Sequence, residues 1–107
     1  MMKTKDEIKE TEDDIYNILT TVMDPEIEID VVNLGLIYDV KYNGENTVDI
    51  LMTLSTPSCP LSDAIVQNIK ESIKIKYPNL EIEVEITHEP LWNAEFISEK
   101  GKIMLGM

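Results

Sequence analysis

The stretch from Leu36 to Leu54 most constrains what this chain can fold into. Apolar and polar residues alternate on both sides of Asn43-Gly44-Glu45-Asn46. A period of two marks a strand with one dry and one wet face. Asn-Gly between two such runs marks a hairpin turn. The pattern predicts a strand over 36–42, with Tyr38, Val40 and Tyr42 on one face. It predicts a return strand over 47–54, with Val48, Ile50, Met52 and Leu54 inward. A lone hairpin is at best marginal in water, so the rest of the chain must cover its apolar face.

Two helical stripes can do this. Thr4-Lys5-Asp6-Glu7 has the spacing of a capping box. Behind it Ile8, Ile15, Leu19 and Val22 share one face, predicting a helix over 5–22 that Asp24-Pro25 stops. Leu61, Ile65, Ile69 and Ile73 recur every four residues and predict a second helix over 60–76, ended by Tyr77-Pro78-Asn79. Ile82, Val84 and Ile86 then alternate with Glu81, Glu83 and Glu85, predicting a third strand over 80–87. A weak helical signal follows over 95–100. The order helix-strand-strand-helix-strand predicts an α/β fold of the α+β two-layer kind. Two helices cover one face of a small mixed three-stranded sheet. The first two strands form an antiparallel hairpin, and the second helix is a right-handed crossover. At 107 residues the chain is expected to be a single domain, 1–107. Its core is expected over about 5–88, with the C-terminal segment 89–107 packed or partly mobile.

Charge narrows the function. Aspartate and glutamate total 21 against 9 basic residues, all lysine, for a formal net charge of -12. Such a chain has few cations to neutralise phosphates against its excess of carboxylates and offers no guanidinium for bidentate contacts, so nucleic acid is not an expected partner. Anionic membranes repel it too. Acidity also keeps a small protein soluble. The single cysteine, Cys59, rules out an internal disulfide framework. The polar start, Met1 to Glu7, lacks the apolar stretch of a signal peptide, and a cytoplasmic location is expected. Phosphate-loop, Cys-x-x-Cys, His-Glu-x-x-His and Gly-x-Ser-x-Gly motifs are missing, and a thiol enzyme is not indicated.

Cys59 carries the sharpest chemical signal. Pro60 follows it and opens helix-forming sequence, which puts Cys59 at or near a helix N-cap. Unpaired N–H groups and the positive end of the helix dipole favour a thiolate there, a good metal ligand and nucleophile. Asp63 in the first turn partly opposes it. A lone cysteine is also an ordinary small buried hydrophobe. Asp24 and Glu26 flank Pro25 and can accept backbone N–H groups or offer oxygen ligands, although an Asx-type turn beside a solvated glutamate explains them as well. His88 is the only histidine, and nothing in the sequence brings it near Cys59. Trp92 is a packing anchor or a partner-binding candidate.

Three ordered motifs then resemble a known family. Asp24-Pro25-Glu26 and Asn33-Leu34-Gly35-Leu36-Ile37-Tyr38 are similar to the Asp-Pro-Glu and Asn-Leu-Gly-Leu-Ile/Val-Tyr signatures of SufT/PaaD-like proteins. Met52-Thr53-Leu54-Ser55-Thr56-Pro57-Ser58-Cys59-Pro60-Leu61 resembles that family's Met-Thr-Leu-Thr-Thr-Pro-Gly-Cys-Pro-Leu segment. Pro90-Leu91-Trp92, Ile97-Ser98-Glu99 and Leu105-Gly106 extend the similarity to the C-terminus. Ser55 stands in place of threonine, Ser58 of glycine, Ile27 of leucine and Leu91 of the second proline of Pro-Pro-Trp. The resemblance implies a domain related to iron–sulfur assembly domains and a role in maturing iron–sulfur proteins. The extra C-terminal cysteines of the PaaD branch are absent, which favours the SufT-like branch.

The same resemblance implies functional positions at Asp24, Glu26, Thr56 and Cys59. A cluster normally takes four protein ligands, mostly thiolates, and one chain here supplies one. The expected cargo is therefore iron or an iron–sulfur cluster held transiently by Cys59, with Asp24, Glu26, Ser55 and Thr56 shaping the site. The expected partners are iron–sulfur assembly proteins and apo-clients, with a homodimer as one source of further ligands. Two other functions fit the sequence: a metal-free adaptor docking assembly proteins and clients, and a PaaD-like accessory protein of an aromatic-degrading oxygenase.

Overall fold

The computed structural model describes residues 4–24, 29–54 and 62–106. Helix α1 spans Lys5–Leu19, strand β1 Ile37–Tyr42, strand β2 Thr47–Met52, helix α2 Ser62–Lys76 and strand β3 Glu81–Ile86. A short 3-10 turn, Ala94–Phe96, and helix α3, Glu99–Leu105, complete the chain. The sheet order is β1-β2-β3, with β1 antiparallel and β3 parallel to β2. This is the expected mixed sheet with helices on one face.

Local chemistry sets the element ends. The capping box forms as expected: the Thr4 hydroxyl accepts the Glu7 N–H, and the Glu7 carboxylate reaches back to Thr4. The helix ends at Leu19, three residues sooner than the hydrophobic stripe suggests. The Thr20 and Thr21 hydroxyls donate back to the carbonyls of Asn17 and Ile18, offering those acceptors an alternative to another turn. Val22 remains buried beyond the helix. In the β1–β2 turn, Asn43 Oδ1 accepts the N–H groups of Glu45, Asn46 and Thr47. Residues 60 and 61, expected to open α2, lie outside the described residues.

The core lies between sheet and helices. Ile15 and Leu19 of α1 and Ile65, Ile69 and Ile73 of α2 are fully enclosed, against Val40, Val48, Ile50, Met52 and Ile82. Burying each such side chain contributes about 1.5–3 kcal/mol. The alternation fails at one place in β1. The register shifts between Ile37 and Asp39, a β-bulge that turns Tyr38 away from the face holding Val40 and Tyr42. Tyr38 instead lines a groove with Ile37, Leu51, Pro90 and Phe96.

The segment after β3 packs back across the molecule to the turn before β1. The Trp92 indole N–H donates to the Leu34 carbonyl at 2.7 Å, and the Tyr38 hydroxyl to the Pro90 carbonyl at 2.7 Å. Phe96 meets the Tyr38 ring edge-on, with centroids 6.1 Å apart. The helical signal expected over 95–100 resolves into a 3-10 turn and a separate α3. Between them Ile97 enters the core, and Ser98 caps α3 by accepting the Gly101 N–H at 3.0 Å.

Candidate functional site

The flanks of the two motif segments are tied together by backbone hydrogen bonds. Asp24 donates to the Ile29 carbonyl at 2.9 Å, and Met23 and Asp30 form an isolated antiparallel bridge. One step further in, Val31 donates to Val22, Leu36 to Val31 and Thr53 to Leu36, at 2.9, 3.0 and 2.8 Å. This chain of bonds joins the stem around 25–28 to the end of β2, where the segment carrying Cys59 departs. Glu26, Ser55, Thr56 and Cys59, and with them the predicted helix N-cap, lie outside the described residues.

Asp24 is 1% exposed. An ionised carboxylate so enclosed leaves water only when it is hydrogen-bonded or paired. Asp30, 5% exposed, follows that rule. Its two oxygens accept the Asn33 N–H at 2.9 Å and the Asn33 side-chain amide at 2.7 Å. Asn33 Oδ1 in turn accepts the Ser98 hydroxyl at 2.6 Å, and its carbonyl accepts the Ser98 N–H. A continuous polar relay thus runs from the stem of the Asp24 segment to the cap of α3.

That relay explains residues whose roles the sequence left open. Gly35 has φ +78°, and a Cβ there would lie 2.3 Å from the Phe96 carbonyl oxygen. Asn33, Leu34, Gly35 and Tyr38 each meet a residue of the tail, so the motifs Asn33 to Tyr38, Pro90 to Trp92 and Ile97 to Glu99 form one latch. Trp92 is half-buried with its N–H spent on Leu34, which places it as a packing anchor.

Two further residues border the same end of the sheet. Thr53 is fully buried, and its hydroxyl has no hydrogen-bond partner among the described residues. His88 is exposed. Ile86 pairs with Met52, and Thr87 donates to the Met52 carbonyl at 2.8 Å, so His88 leaves β3 beside the exit of Thr53 and Leu54 from β2. The signal for this was available: strands joined by a helical crossover run parallel, and their C-terminal ends coincide. Among the described residues no three His, Asp or Glu side chains converge as a metal site. None of their helices is long and apolar enough to cross a membrane.

The family described as "Iron-sulfur cluster assembly protein" matches residues 12–86. The chain belongs to that family. It is 37% identical over 100 residues to an Fe-S protein maturation auxiliary factor of Porphyromonas gingivalis, covering 94% of this chain and 95% of that one. It is 37% identical over 87 residues to the Fe-S protein maturation auxiliary factor SufT of Staphylococcus aureus, covering 80% of this chain and 98% of that one. A solved structure from Bacillus anthracis, described as a domain of unknown function, superposes with a TM-score of 0.92 at 36% identity, covering 97% of this chain and 99% of that one. The SufT-like resemblance read from the motifs and the two-layer fold both hold.

Proposed function

We propose that this SufT-like protein is a maturation factor that takes up iron or an iron–sulfur cluster transiently on the Cys59 thiolate and passes it to apo-clients. The observation that carries this reading is the bonded chain from Val22 through Val31 and Leu36 to Thr53, which ties the stem of the Asp24-Pro25-Glu26 segment to the strand end feeding Cys59. The family and the names of its relatives support iron–sulfur cargo.

The donor set defines the kind of holding. One thiolate leaves the remaining positions of an iron or cluster to a second subunit, a small thiol or the client. Transfer is then ligand exchange at iron: a client thiolate replaces Cys59, and no net redox step is required. Weak holding suits a carrier, because the cargo must leave. Asp24 organises the turn from within its buried setting, Glu26 completes that segment, and Ser55 and Thr56 orient the thiolate. The protein acts in the cytoplasm without enzymatic turnover, alongside assembly proteins.

Anaerobic reconstitution with ferrous iron and sulfide tests this. Wild type is expected to develop thiolate-to-iron charge-transfer absorption and to retain iron through desalting. Cys59→Ser should lose both while its far-UV circular dichroism stays unchanged. Equal iron and absorption in the serine variant would overturn the ligand role.

A further inference from the structure

The parallel register fixes which backbone groups of β3 face β2. Glu81 donates to Asn46 and Thr87 to Met52, so the odd-numbered N–H groups point into the sheet. Those of Ile82, Val84 and Ile86 point to the outer edge, with their carbonyls. No described residue hydrogen-bonds to them. An unpaired row of this kind is a ready template for another strand.

The open face beside that edge carries an excess of negative charge. Register places Lys41, Asp49 and Glu83 in one row and Asp39, Leu51 and Glu85 in the next, with Glu81 beyond Thr47. Among the described residues of these rows the carboxylates outnumber the one lysine, Lys41, which pairs with Asp39 at 3.7 Å. A depression of about 430 Å³ on this face is lined by Asp39, Asp49, Glu83 and Glu85, among others. A second copy of this chain is a poor occupant, because pairing two β3 strands sets their glutamate rows side by side, and like charges there are destabilising.

We propose that the outer edge of β3 is a docking strand for an extended segment of a partner protein that bears lysine or arginine at alternate positions. Main-chain bonds to Ile82, Val84 and Ile86 supply the pairing. The basic side chains lie beside Glu81, Glu83 and Glu85 and supply selection. The contact is small and salt-sensitive, as befits a transient encounter. It does not depend on Cys59 handling iron.

The test uses metal-free full-length protein and a synthetic peptide of about ten residues alternating lysine with valine. Its controls are the same peptide N-methylated at alternate residues and one with glutamate replacing lysine. Amide hydrogen exchange at Ile82, Val84 and Ile86 should slow about tenfold with the lysine peptide only, equally in wild type and Cys59→Ser. Val84→Pro, which removes an outward donor without touching a ladder bond, should weaken binding about tenfold. Joint replacement of Glu81, Glu83 and Glu85 by glutamine should weaken it similarly and flatten its salt dependence. Unchanged exchange, equal binding of the methylated peptide or equal binding of the glutamate peptide would each overturn the proposal. So would sedimentation showing the peptide-free chain as a dimer with these amides already protected.

Discussion

Along β1 the outward backbone donors are taken up within the chain. Tyr42 N–H donates to the Glu12 carboxylate at 2.9 Å and Val40 N–H to the Asp39 carboxylate at 3.0 Å, while the tail packs over the start of the strand. Along β3 the corresponding donors of Ile82, Val84 and Ile86 meet no described residue. One sheet thus uses two different protections against unwanted pairing. The β1 edge is chemically satisfied. The β3 edge meets no described residue and lies beside a row of glutamates, whose like charge disfavours pairing with another acidic edge. Helix α1 serves both sides: Glu12 seals β1, and Asp14 holds Tyr77 just before β3 begins.

The largest effect is expected from breaking the latch on the β1 side. Gly35→Ala forces a side chain into a left-handed conformation and drives its Cβ to 2.3 Å from the Phe96 carbonyl oxygen. Backbone strain and overpacking together should cost about 2–4 kcal/mol in urea unfolding. Amide exchange should quicken in residues 92–106 and stay unchanged in β3. Equal acceleration in both regions would show that the two sides are not independently stabilised.

The latch also marks where sequence reading stops. Hydrophobic period, with cap and turn signals at the ends, locates α1, the hairpin, α2 and β3, because each buries one face and the pattern records it. Tyr38 was misplaced with Val40 and Tyr42, since a bulge leaves no trace in an alternating pattern. The pairing of Asn33 with Ser98 spans 65 residues, and polar partners that distant carry no local spacing. The candidate site was legible in part. Motif resemblance picks out Asp24 and Cys59, but the burial of Asp24 and of the Thr53 hydroxyl, which meets no partner among the described residues, follows from tertiary packing, which composition does not encode.

A smaller change converts the sealed edge into an open one. Glu12→Ala removes the carboxylate that accepts the Tyr42 N–H, at an expected cost of about 1–1.5 kcal/mol, since water replaces the lost acceptor at an edge. The readout is the exchange rate of the Tyr42 amide, which should rise toward those of the outward β3 amides. An unchanged rate would mean that the strand geometry, and not the carboxylate, protects this edge.

The smallest effect belongs to the β3 side and depends on pH. The Tyr77 hydroxyl donates to Asp14 Oδ2 at 2.5 Å, and Lys76 pairs with the same oxygen. The Lys76 hydrogen bond, followed by that from Tyr77, holds the Asp14 carboxyl below its ordinary 3.8. The Asp14 hydrogen bond pushes Tyr77 from 10.0 up to about 12. A lowered carboxyl stabilises the fold above its unfolded pKa, and that contribution is lost as pH falls through the folded value. A raised phenol stabilises below its unfolded pKa, and that contribution is lost as pH climbs from 10.0 to about 12. Tyr77→Phe should therefore cost about 0.5–1 kcal/mol on a plateau from roughly pH 5 to 9, with the gap to wild type closing on both sides. Thermal unfolding followed from well below that plateau to well above it checks the prediction. A gap that persists below pH 3 would mean that Tyr77 acts by packing against Lys76, whose ammonium lies 5.7 Å from its ring, and that Asp14 contributes nothing to anchoring the start of the open edge.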